Sequence, residues 1–141
     1  MKPSMRKKAR YRALQALYQV LMTEDEDLDV VAQYLEELNP KKVDIEYFKG
    51  LIHGVMVNQA ELDDAFLPFT DLALKDLTPI ELCVLRLATY ELIYRIEIPY
   101  PIILNEALEL TKSFGTQDGF KFVNGVLDKA AKKIRALEIK G

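Results

Sequence analysis

The sequence predicts an all-α fold of about seven helices in one compact domain. Three observations carry that reading. Apolar residues recur at three- and four-residue spacing along most of the 141 positions, the period of a helix with one buried face. No stretch alternates apolar and polar residues over a length useful for a strand, and no repeat of fixed period occurs. Proline and glycine divide the periodic runs at Asn39-Pro40, Pro68, Pro99-Tyr100-Pro101 and Phe114-Gly115. At 50% hydrophobic, a chain of this size can bury a real core.

The first helix is expected from about Ser4 to Met22. Arg10, Ala13, Leu14, Leu17 and Leu21 share its core face, and Lys8, Arg12, Gln15 and Gln19 share the opposite one. Lys7, Tyr11, Tyr18 and Met22 flank the core stripe and mix a base with aromatics. Two readings of Tyr18 stand: a boundary tyrosine with its hydroxyl in water, or a partner contact. The acidic run Glu24 to Asp29 reads as a solvated loop and the dipole-compatible start of a second helix, about Asp29 to Leu38, stopped by Asn39-Pro40. A third begins near Asp44 and carries its spacing through Leu51, Ile52, Val55, Gln59 and Leu62, with Gly50 and Gly54 small enough to admit a neighbouring helix. Short helical pieces fill residues 63 to 67 and 71 to 77.

Thr78-Pro79-Ile80-Glu81 combines an N-cap, a proline at the first helical position and a capping-box glutamate, and is the firmest helix start in the chain. The helix runs to about Ile96 with two apolar faces, Leu82, Leu85, Leu92 and Ile93 on one and Ile80, Val84 and Leu87 on the other. Two-sided apolarity means central burial, or one side kept for a partner. Glu81 is either a cap alone or a cap that also touches that partner. After the stiff Pro99-Tyr100-Pro101 connector, Ile103, Leu104, Ala107, Leu110 and Phe114 form the stripe of another helix, Ile102 to Ser113. Phe114 reads as a core anchor unless its loop leaves one ring face open. Gly115 reads as a left-handed cap and Thr116 as the N-cap of the last helix. There Val123, Val126, Leu127, Ala130, Ile134 and Leu137 make the core stripe, and Asp118, Lys121, Gly125, Lys129 and Lys132 line the opposite face. Phe122 projects from the edge of that face, where a ring beside a lysine and an aspartate can stack on a base.

Charge narrows the function classes. The first 12 residues hold six bases, Lys2, Arg6, Lys7, Lys8, Arg10 and Arg12, and no acid, which leaves −9 for the rest of a chain whose formal net charge is −3. An acidic globule with a basic arm suits a protein that grips a polyanion at one place; a solvated helix start is the plainer alternative. No run approaches the length of a membrane span, and no signal region follows the basic start. The single cysteine, Cys83, excludes an internal disulfide, and one histidine, His53, leaves no zinc set, so a reducing, cytoplasmic setting without metal or other cofactor is expected. Phosphate-loop, dinucleotide, HExxH and CxxC motifs are absent, and an enzyme is not expected.

KARYRALQALY near the start, VLRLATYEL from Val84, PYPIILNEALELTKSFG, and above all KFVNGVLDK from Lys121 resemble the bacterial transcription antitermination factor NusB family, in order and over nearly the whole chain. The resemblance implies two packed three-helix bundles, about 1–60 and 61–141. It also implies binding of the boxA element of nascent ribosomal RNA, together with the small-subunit ribosomal protein NusE, on RNA polymerase. By the same resemblance Lys2, Arg6, Lys7, Lys8 and Arg10 form the basic RNA motif, and Phe114, Asp118, Lys121 and Phe122 a second RNA surface. The resemblance also implies that Tyr18 and Glu81 sit at the NusE interface, and Ile80 and Val84 beside Glu81 are expected to bury against the same partner. Lys7 and Lys8 stand where the family has arginines, which keeps charge but loses bidentate geometry. The expected mechanism has the arm positioning single-stranded RNA through phosphates while Phe122 and Asp118 select bases, with both ends of the chain converging on one transcript. The alternatives are a helical scaffold or homodimer that binds no nucleic acid, and a methyltransferase accessory, which a chain ending at Gly141 disfavours.

Overall fold

In the computed structural model, which describes residues 3–115 and 117–140, the chain is helical and divides into two compact units, one through Val57 and one from Asn58 onward. The Lys2 and Thr116 expectations lie outside the described residues.

The first unit is a three-helix bundle of α1 (Pro3–Thr23), α2 (Asp27–Glu37) and α3 (Ile45–Val57), each packed on the other two. Ala9, Ala13, Leu14, Ala16 and Leu17 of α1 meet Tyr47, Phe48, Leu51, Ile52 and Val55 of α3 in its core, and Tyr34 of α2 stacks on Phe48 with ring centroids 5.9 Å apart. The acidic run does start α2, with Asp27 and Asp29 in its first turn. Asp44 caps α3, its Oδ1 accepting from Tyr47 N at 3.1 Å. Gly50 is exposed, and a Cβ built there meets nothing within 4 Å, so of the two expected packing glycines only Gly54 is buried.

The periodic run expected to carry α3 on to Leu62 is cut at Asn58, whose φ of −107° and ψ of 20° leave the helical region. Its carbonyl starts α4 (Gln59–Phe66) by accepting from Leu62 N at 2.9 Å. Two single 3-10 turns, Leu67–Phe69 and Leu74–Asp76, lead to α5 (Pro79–Tyr94). Its capping box is complete: Glu81 N donates to Thr78 Oγ1 and Thr78 N to Glu81 Oε1, each at 3.2 Å. α5 is buried on nearly every side, from Leu82 through Thr89 and again at Glu91 and Leu92, which answers the two-faced pattern with central burial.

Around α5 pack α4, α6 (Tyr100–Phe114) and α7 (Gln117–Ile134). Two buried arginines hold these helices together. Arg86 of α5 grips Asp63 of α4 with Nε and Nη2 at 2.8 and 2.9 Å from the two carboxylate oxygens. Arg135, just past α7, donates to the carbonyls of Leu92, Ile98 and Arg95 at 2.7, 2.9 and 3.0 Å. It thereby satisfies groups that the end of α5 and its following turn leave without helical partners. The chain turns at Arg135 into α8 (Ala136–Lys140), so Leu137, expected on the α7 core stripe, is 90% exposed.

Candidate nucleic-acid interface

The basic tract lies on the first turns of α1, and the fold splits its residues into two kinds. Arg6 and Arg10 turn inward: their guanidinium carbons lie 4.4 and 5.4 Å from the centre of the Tyr47 ring, a double cation–π contact. Arg6 Nε also pairs with Asp44 Oδ2 at 3.8 Å, and Asp44 N donates to Met5 O at 3.2 Å, so the start of α1 is laced to the start of α3. Arg10 is 4% exposed. Its expected place in the RNA contact is corrected: the position falls on the core side of α1, where Tyr47 shelters its charge. Lys7 and Lys8 point outward and are exposed. Position on the helix sets the sorting, Arg12 being exposed as well, and arginine suits the inward positions because a guanidinium tolerates burial against a ring better than a strongly hydrated ammonium.

The second surface lies at the other end of the chain. The α7 core face is as expected through Ala130, with Val123, Val126 and Leu127 buried, while Asp118, Lys121, Gly125 and Lys129 are exposed opposite. Phe122 is half-buried at the margin of that face. Phe114, the last residue of α6, is also half-buried. Gly115 is not the left-handed cap expected, since its φ is −113°. Glycine is needed there for closeness: its N donates to Thr111 O at 2.7 Å, and an added Cβ would sit 2.9 Å from that same oxygen.

That Cβ would also lie 3.7 Å from Ile80 Cγ2, which brings the Gly115 loop against the start of α5. Ile80, expected at the partner face, thus borders the Gly115 loop next to Phe114, and both Ile80 and Glu81 are half-buried. Val84 is different. It is fully buried, with no accessible area to offer a partner, because it lies one turn further into the all-round packing of α5. Tyr18 is half-buried on α1.

Sequence reading overlooked one aromatic here. Lys112 Nζ lies 4.9 Å from the Phe120 ring centre, and the two flank a cleft at Gly115 and Gln117. The signal was available as a lysine and an aromatic bracketing the glycine turn, but Phe122 fitted the helical face better.

A sequence model of the NusB family matches residues 7–132. The chain belongs to the NusB family. The match opens at Lys7 and closes at Lys132, taking in both surfaces except Lys2 and Arg6. The transcription antitermination protein NusB of Pseudomonas syringae pv. tomato is 47% identical over 139 residues, 99% of this chain and 84% of that protein. That of Idiomarina loihiensis is 49% identical over 135 residues, 96% of this chain and 97% of the relative. Among solved structures, NusB of T. maritima superposes with a TM-score of 0.78 at 33% identity, covering 94% of both chains. A complex of the antitermination factors NusB and NusE with dsRNA contains a chain that superposes at a TM-score of 0.84 and 28% identity, covering 94% of this chain and 99% of that one. No helix among the described residues is long and apolar enough to cross a membrane.

Proposed function

We propose that this chain is a transcription antitermination factor that binds the boxA element of nascent ribosomal RNA together with NusE, within the antitermination complex on RNA polymerase. The near full-length similarity to NusB antitermination proteins, at 47 and 49% identity, carries the reading. The NusB–NusE–dsRNA complex supports RNA and NusE as the partners. Action on nascent transcripts places the work in the cytoplasm.

The chemistry divides between the surfaces. Lys7 and Lys8, exposed on α1, supply phosphate contacts that position RNA without reading it. Phe122, with Asp118 and Lys121 on the same face of α7, supplies a stacking ring between polar groups that discriminate bases. Phe114 extends this surface to the Gly115 loop, and Ile80, Glu81 and Tyr18 serve NusE. Arg6 supports the tract from within, holding α1 against Tyr47 and Asp44.

The test is a fluorescence titration of the full chain with single-stranded boxA RNA, a scrambled strand and a duplex, each with and without NusE. Phe122→Ala is expected to cost about 1 to 3 kcal/mol on boxA, the range for a stacked base. A folded Phe122→Ala protein that binds boxA as the parent does would remove the stacking role. A chain that binds neither RNA nor NusE but self-associates in sedimentation would instead be the helical scaffold.

A further inference from the structure

A cleft of about 360 Å³ opens on the first unit, between the helix that carries the basic tract and the turn that leads into α3. Lys8 and Arg12 of α1 line one wall, and Glu37, Asn39 and Lys42, from the end of α2 and the turn before α3, line the other. We propose that this cleft is a backbone-phosphate site for RNA: the strand held by the exposed lysines of α1 runs on into it, and Lys8, Arg12 and Lys42 bind phosphate from both walls. The contact reads no base.

Uncompensated charge is the first reason. Surface cations elsewhere in the chain find carboxylates, Lys49 pairing with Glu46 at 3.7 Å and Lys132 with Asp128 at 3.2 Å. Among the described residues no carboxylate lies within ion-pair distance of Lys8, Arg12 or Lys42, although Glu37 lines the same cleft. Three like charges gathered around one acid leave the cleft net positive, and a polyanion relieves their mutual repulsion.

Preorganisation is the second. Lys8 and Arg12 are four residues apart and so share one strip of α1. Arg12 Nη1 donates to Gln15 Oε1 at 3.0 Å, which orients the guanidinium and leaves it further donors. Lys42 faces them from a tight turn. Asn39 O accepts from Lys42 N and Val43 N at 2.9 and 3.0 Å, Asn39 Oδ1 accepts from Lys41 N at 2.9 Å, and Val43 is buried beneath. Two residues past Lys42, Asp44 N donates to Met5 O at 3.2 Å and the Asp44 carboxylate pairs with Arg6, so the turn is tied to α1 itself. The walls therefore keep their spacing before RNA arrives, and binding has little backbone left to order. Lys42 also follows the end of α2, where a cation complements helix carbonyls. That plainer role predicts a loss of stability with no effect on RNA.

The inference rests on RNA binding as proposed above. Its test titrates the full chain with labelled single-stranded boxA and scrambled RNA across a salt series, with a thermal melt of each variant. Lys42→Gln and Arg12→Gln should each lower the slope of log K against log salt by about 0.7, equally for the two strands, and Glu37→Gln should tighten binding of both. Lys41→Gln removes the same charge one residue away, from an exposed side chain that does not line the cleft, and should leave the slope unchanged. Equal slopes for Lys41→Gln and Lys42→Gln would mean diffuse attraction and overturn the cleft, as would a Lys42→Gln protein that melts lower yet keeps the parental slope. An effect of Lys42→Gln on boxA alone would make the contact a base contact and overturn the phosphate assignment. A melting temperature raised by inorganic phosphate or a nucleoside monophosphate in the parent and not in Lys42→Gln, with RNA slopes unmoved, overturns it in favour of a small-anion site. In each of those cases boxA binding by the parent still stands. A parent chain that binds no RNA ends both readings together.

Discussion

At the scale of single residues, burial decides which charges are free to act. Asp63 and Arg86 are joined by two hydrogen bonds with their side chains about a tenth exposed, so each neutralises the other in the core. Asp63→Ala should therefore cost about 3 to 5 kcal/mol in a urea melt, and replacing both partners with apolar residues should recover much of the loss. Cys83 is a second case. Burial pushes its thiol up to about 12 from an ordinary value of 9.0, against a smaller opposing pull from Arg86. The folded chain thus holds this proton more tightly than the unfolded one. The stability it contributes is whole below pH 9 and is lost as pH rises toward about 12, by at most roughly 1.4 kcal/mol per unit. Melts of the parent and Cys83→Ala should show their stability gap narrowing across that window; a constant gap would mean that the thiol titrates normally. Neither partner of the Asp63–Arg86 pair could be singled out from sequence, since both fell within helical patterns whose charged positions usually face water.

At the scale of elements, helix ends were the most legible features and helix continuations the least. The Thr78–Glu81 capping box is local chemistry, four residues whose bonds close on one another, and it forms as expected. Glu81→Ala and Thr78→Ala should each cost about 0.5 to 2 kcal/mol by thermal melt. Only Glu81→Ala should weaken NusE binding beyond what that shared loss explains, and equal affinities for the two variants would leave Glu81 a cap alone. The third-helix run broke at Asn58 and the last-helix run at Arg135, although the apolar spacing continued across both. At Arg135 the reason is visible: its guanidinium leaves the helix direction to serve four carbonyls around the end of α5, and the chain follows. Such a demand comes from residues more than 30 positions away, beyond the reach of any local pattern.

At the scale of the whole molecule, a chain of formal charge −3 binds a polyanion only where its positive charge is gathered. RNA affinity should fall steeply with salt, and Lys7→Ala and Lys8→Ala should each reduce the slope by about 0.7, for boxA and scrambled strands alike, as titrations at several salt concentrations would show. Arg10→Ala should instead lower the melting temperature, because Arg10 is inside. The all-α class, the order of the helices and the membership suggested by KFVNGVLDK were all present in the linear chain, since they depend on periodicity, turn residues and short-range bonding. The sequence by itself also determined where the basic residues and aromatics lie along the helices. Only the tertiary structure decided which of them reach solvent. Arg6 and Arg10 were drawn to Tyr47, Val84 was closed over, and Arg12 was left at a cleft whose far wall comes from about 30 residues on. Exposure is a property of what packs against a residue, and that partner is chosen by the fold.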